Sequence, residues 1–120
     1  MIISHIIGGL GNQMFQYAVG RALSLERRVP LSLDTQDFSG YTLHNGFELD
    51  YIFNIKAQLA TDREIKDVLG WRANSPIRRQ LLFKKQLRKL RGSKMFVDTQ
   101  FSSWNQISEV PDAAYLMGNW

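Results

Sequence analysis

The run Ile6-Ile7-Gly8-Gly9-Leu10-Gly11-Asn12-Gln13-Met14-Phe15-Gln16-Tyr17-Ala18 sets three glycines between two apolar stretches, and little else in the chain restricts its fold as strongly. Residues 2 to 7 are almost continuously apolar rather than alternating, which suits a central parallel strand covered on both faces. Residues 8, 9 and 11 lack Cβ, so the main chain there tolerates positive φ and close approach by another group. From Gln13 to about Arg28 the pattern predicts a helix. Met14, Ala18, Ala22 and Leu25 run down one side with Phe15, Val19 and Leu23 beside them, a wide apolar surface expected to pack between layers. Val29 to Asp34 supplies a second strand, and strand, helix and strand within 34 residues make a βαβ unit with an expected right-handed crossover.

Further along, Gly40, Asn45 and Gly46 mark turns, and Glu48 to Phe53 has room for one helical turn. Thr61 with Glu64 reads as a capping box for a helix ending near Leu69, before Gly70. Ser75-Pro76 opens another helix, expected over 77–91 and closed by Gly92. Residues 94–97 and 114–117 read as strands, and 101–107 as a short helical or turn region.

The fold class expected is α/β, a Rossmann-like parallel sheet with flanking helices. At 120 residues with 44% apolar and 22% charged side chains the chain has the make-up of one foldable domain. It contains no cysteine, which excludes disulfides, thiolate ligands and cysteine nucleophiles. No apolar run approaches the roughly 20 residues of a membrane span, and Met1 to Ile7 lacks the basic start of a signal peptide, so a cytoplasmic location is expected. The net charge of +4 is concentrated: no acidic residue lies between Asp67 and Asp98, an interval holding Arg72, Arg78, Arg79, Lys84, Lys85, Arg88, Lys89, Arg91 and Lys94. A cationic amphipathic helix there has three readings: a solvated face, peripheral contact with anionic lipid at the inner membrane face, or a surface for anionic partners. Nucleic-acid binding is disfavoured, because no exposed aromatics are interleaved with the cations.

Ligands of parallel α/β sheets sit beyond the carboxyl ends of the strands, where the glycine turn falls. The first amides of a following helix have no partner within it and favour an anion or an acceptor-rich group. Gly8, Gly9, Gly11, Asn12 and Gln13 are therefore candidate substrate-binding residues. Asp34, at the end of the second strand, is another, suited to a sugar or ribose hydroxyl or equally to capping a turn. His5, Asp37 and His44 are weaker candidates, His5 being read first as a hydrogen-bonded core or crevice-lining residue and His44 as a surface loop residue. Two distant histidines without cysteine make a zinc site improbable, and no metal is expected. The catalytic residue is unknown from sequence.

The string from Gly8 to Ala18, followed by Ala22 and Leu23, resembles the amino-terminal motif of the α-1,2-fucosyltransferases. Tyr115-Leu116-Met117-Gly118-Asn119-Trp120 is similar to their Tyr-Leu-x-Gly-Tyr-Trp segment, with Asn119 where an aromatic is usual. The resemblance implies an inverting enzyme with a GT-B-like fold, moving fucose from GDP-fucose to a galactose 2-hydroxyl of a glycan. It implies no cofactor beyond that donor substrate. It also implies that residues 1–120 are the incomplete first domain, the second, donor-binding domain and its His-x-Arg-Arg-x-Asp segment being absent, so that this piece alone is inactive. Two other readings stay open: a Rossmann-like domain for another nucleotide or nucleotide sugar, which lacks a G-x-G-x-x-G fingerprint here, and a non-enzymatic basic interaction module.

Overall fold

A computed structural model of the chain describes residues 1–98 and 109–118. Five strands form one wholly parallel sheet: β1 (Ile2–His5), β2 (Leu31–Asp34), β3 (Gln58–Leu59), β4 (Met95–Asp98) and β5 (Ala114–Gly118), in the order β3-β2-β1-β5-β4. Helices α1 (Leu10–Arg27), α2 (Leu49–Phe53), α3 (Asp62–Leu69) and α4 (Ser75–Phe83) connect them, with 3-10 turns at Gln36–Phe38, Gly70–Ala73 and Lys85–Leu90.

Every residue of β1 is buried, Ser4 and His5 included, as the near-continuous apolar run over residues 2 to 7 predicts, because helices cover both faces of the sheet. On one face Ile2, Ala114 and Leu116 meet Leu23 of α1. On the other, Ile3, Met95, Tyr115 and Met117 meet Ile65, Val68 and Leu69 of α3 and Leu81 and Leu82 of α4. The result is the three-layer, Rossmann-like α/β arrangement the sequence predicts. The chain steps outward from β1 to β2 to β3, yet β5 takes the other side of β1 and β4 lies beyond it. Strand order therefore reverses between β1 and β5, and the cleft at their carboxyl ends is the natural ligand position in such a sheet.

Two expectations are corrected. The buried residues of α1 are Gln13, Gln16, Gly20, Leu23 and Ser24, whereas Met14, Phe15 and Leu25 are exposed. The inward stripe is polar and small because α1 lies close to the sheet and meets main-chain groups there. A Cβ on Gly20 would come within 3.0 Å of both Ser4 Cβ and the Leu31 side chain. The second correction is to the basic helix over 77–91, which is broken: Lys84 turns extended (φ −93°, ψ 109°) and a 3-10 turn follows. Arg91 folds back instead, donating from Nε to Leu81 O at 2.6 Å and from a terminal nitrogen to Leu82 O at 3.2 Å, which satisfies carbonyls near the end of α4. Arg72 donates to Leu90 O, Arg78 is buried and Arg79 is paired with Asp37, so the cations do not form one solvated face. Lys84, Lys85, Arg88 and Lys89 remain exposed.

Smaller differences concern the ends. The Thr61 and Glu64 capping box is present in both directions. Helix α4 starts one residue before proline, with Asn74 as its cap in place of Ser75. The two-residue β3 carries no period-2 signal, and the region expected over 101–107 lies outside the described residues. Among the described residues no helix is long and apolar enough to cross a membrane.

The close approach at Gly20 is testable. Gly20→Ala is expected to lower unfolding stability by about 1–3 kcal/mol through overpacking, despite alanine's better helix propensity, as read by urea denaturation.

Candidate functional site

After β1, Ile6 N–H still bonds Asp34 O at 2.9 Å, and the chain then turns at Gly8 with φ +87°, a conformation glycine adopts without strain. Helix α1 starts at Leu10 with Gly9 as a cap that offers no side chain, and its first turn contains no acidic residue. The first bond back along the chain is Gln13 N–H to Gly9 O at 3.1 Å, so the N–H groups of Leu10, Gly11 and Asn12 sit ahead of it at the positive end of an 18-residue helix.

The turn is open on one side only. Gly8 is buried, and a Cβ there would lie 2.9 Å from the Asn12 side-chain nitrogen. Over Gly9 the space belongs to the His44 ring, 3.2 Å from where a Cβ would stand. Gly11 has nothing within 4 Å of such a position, and Gly11 and Asn12 are exposed.

Gln13 faces inward with no exposed surface. Its amide nitrogen donates to Gly8 O at 2.9 Å and Gly46 O at 2.8 Å, and its oxygen accepts from Glu48 N at 2.9 Å. This residue joins the loop around 44–48 to the glycine turn. Gln16, one turn on and also buried, accepts from Ile7 N at 2.9 Å and donates to Gly118 O at 3.0 Å, bridging the ends of β1 and β5. Sequence reasoning missed both that bridge and the position of His44, which Gln13 and the Phe38, Tyr41 and Phe47 cluster bring against the turn. A glutamine at helical spacing from Gly20 was the available signal, since a residue on the side of a close-packed glycine faces the sheet.

Asp34 is on the opposite side of the sheet from α1 and wholly buried. Its carboxylate accepts from Tyr115 Oη at 2.6 Å and from Gln36 N at 3.1 Å, and lies 3.4 Å from a terminal nitrogen of the buried Arg78. Burial, with the Asp34 charge beside it, holds the Tyr115 hydroxyl well above the usual tyrosine range, so it remains a donor. His5 donates from Nε2 to Asp37 at 2.9 Å, while its buried Nδ1 has no partner among the described residues. Arg79 holds the other Asp37 oxygen, at 2.6 and 2.7 Å. The His5 hydrogen bond, reinforced by Arg79 against the opposing effect of burial, lowers the Asp37 carboxyl from 3.8 to about 2.

The structure thus gathers Gly8, Gly9, Gly11, Asn12 and His44 at one mouth, uses Gln13 behind it, and places Asp34, His5 and Asp37 in a separate buried network. Among the described residues no three His, Cys, Asp or Glu side chains converge as a metal site.

Compared with known proteins, 50 residues are 54% identical to an alpha-1,2-colitosyltransferase of Escherichia coli, a stretch that is 42% of this chain and 17% of that protein. The likeness is a distant, local link to a glycosyltransferase. No family model and no solved structure matches the chain.

Replacing Gln16 by Leu leaves Ile7 N–H and Gly118 C=O without the amide, and is expected to lower stability by about 2–4 kcal/mol in chemical denaturation. Because the folded carboxyl of Asp37 lies below its unfolded value, its contribution is complete above about pH 5 and fades as pH falls through about 2. Stability curves should therefore lose about 2 kcal/mol over that window, and Asp37→Asn should flatten this part of the curve.

Proposed function

We propose that this chain is the amino-terminal part of an inverting glycosyltransferase that moves fucose, or its 3-deoxy counterpart colitose, from a GDP-sugar to the 2-hydroxyl of a galactose in a glycan. The observation that carries the reading is the 54% identity to a colitosyltransferase over 50 residues, together with an uncapped glycine turn at the carboxyl end of the central strand. In this reading Gly11 and Asn12 lie against substrate, with the His44 ring that covers Gly9 beside them. Gly8 supplies the turn, and Gln13 and Asp34 keep the surrounding backbone in place. Inverting transfer requires the acceptor hydroxyl in line behind the sugar carbon as the diphosphate leaves; binding both reactants in that line lowers the entropic barrier. Main-chain donors and the helix dipole favour the developing negative charge. The arginines of a His-x-Arg-Arg-x-Asp segment, which these 120 residues do not contain, are the expected main clamp on the diphosphate.

The test is transfer by the full protein from GDP-fucose and from GDP-colitose to a β-galactoside, with product linkage read by NMR. Turnover with either donor is expected, and none from residues 1–120 alone. Gly11→Ala has room for its methyl group and should fold normally while weakening substrate binding about tenfold, since the methyl occupies the approach to the amides. Unchanged binding in that variant would remove the glycine turn from the site.

A further inference from the structure

We propose that the groove between α3, α4 and the 3-10 turn Gly70–Ala73 is a binding subsite for a neutral pyranose. It lies on the α3 and α4 side of the sheet, away from α1 and its glycine turn, and has a volume of about 430 Å³. Trp71 forms part of its wall and is 57% exposed, which leaves a large apolar ring accessible to a ligand. The Arg72 guanidinium stands over the Trp71 ring at 4.5 Å from its centroid and so takes one face of the indole. The remaining face is a flat apolar plate of the kind on which the C–H side of a sugar ring stacks.

Around this plate stand short-range polar groups with capacity to spare. The Lys66 ammonium and the Ser75 hydroxyl, both exposed, have no partner among the described residues. Among the described residues one Asp62 oxygen accepts from Gln36 Nε2 at 2.6 Å while the other has no partner, and the Asn74 side chain uses only its amide oxygen, to cap α4. Donors and acceptors therefore share one wall with an aromatic plate, the mixture that recognition of sugar hydroxyls requires.

The charge pattern disfavours an anion. Arg78 lines the groove, but its guanidinium is committed to Ala73 O and Gln36 Oε1, each at 2.8 Å, and to the Asp34 carboxylate. Of the exposed ionic groups on the wall, Asp62 and Lys66 cancel. The assignment rests on this wall alone, so it stands whether or not the glycine turn holds a donor.

Isothermal titration calorimetry on the full protein with methyl β-D-galactoside and methyl α-L-fucoside tests it, with inorganic phosphate and GDP as counter-probes. At least one glycoside is expected to bind with Kd of about 1–10 mM, a range normal for a single sugar. Trp71→Ala should weaken it at least tenfold, Trp71→Phe should restore most of the affinity, and Ser75→Ala should weaken it severalfold. These side chains are exposed, so the variants should fold, and circular dichroism checks this. GDP affinity should not change in any of them, which separates this site from the glycine turn. No saturable binding of either glycoside up to about 50 mM, affinity unaffected by Trp71→Ala, or phosphate competing with the glycoside would each overturn the proposal.

Discussion

The amide of Gln16 fixes the point at which this sheet changes direction. Between β1 and β5 the strands end, the ladder stops, and the next N–H and C=O groups need partners inside a closed layer. Gln16 serves both, accepting from Ile7 N–H and donating to Gly118 O, while its own main-chain oxygen accepts from Ser4 Oγ at 2.8 Å. A buried amide with these partners is stable where one missing a partner would be costly. Two strand ends and the helix that follows the glycine turn are thereby held in one arrangement, and the uncapped amides of α1 inherit their direction from it.

Gln13 extends the same logic outward. Its three hydrogen bonds pull Gly46 and Glu48 against the turn, and with them His44 over Gly9. The mouth is thus built from two remote stretches of chain. Behind the sheet, Asp34, Tyr115 and Arg78 form a second polar centre in which a carboxylate at a strand end serves packing instead of solution chemistry.

Much of the fold was legible in the sequence because local signals agreed with the tertiary result. The largely apolar first strand, the turn at Gly8 and the Thr61 capping box each follow from the chemistry of the residues named. The inward face of α1 was not legible, since apolar periodicity points to Met14, Ala18 and Leu25 while close packing at Gly20 brings Gln13 and Gln16 to the sheet. Nor was the break at Lys84. The helical spacing of Ile77, Leu81 and Leu82 says nothing of Arg91, whose return to the α4 carbonyls takes the place of further helical bonds. Of the candidate site, the glycines were readable from their lack of side chains and their place after a strand, and Asn12 from its place beside them at the start of the helix. His44 was not, because its position depends on hydrogen bonds made by Gln13 across 33 residues.

The two rims of the sheet are unlike. At one, β3 is two residues long and offers few main-chain groups to an incoming strand, which makes it a poor template. At the other, β4 has four residues and, among the described residues, pairs only with β5. An incoming strand therefore finds more main-chain groups to pair with at Met95–Asp98 than at Gln58–Leu59, so β4 is the side on which this parallel sheet is built to be extended.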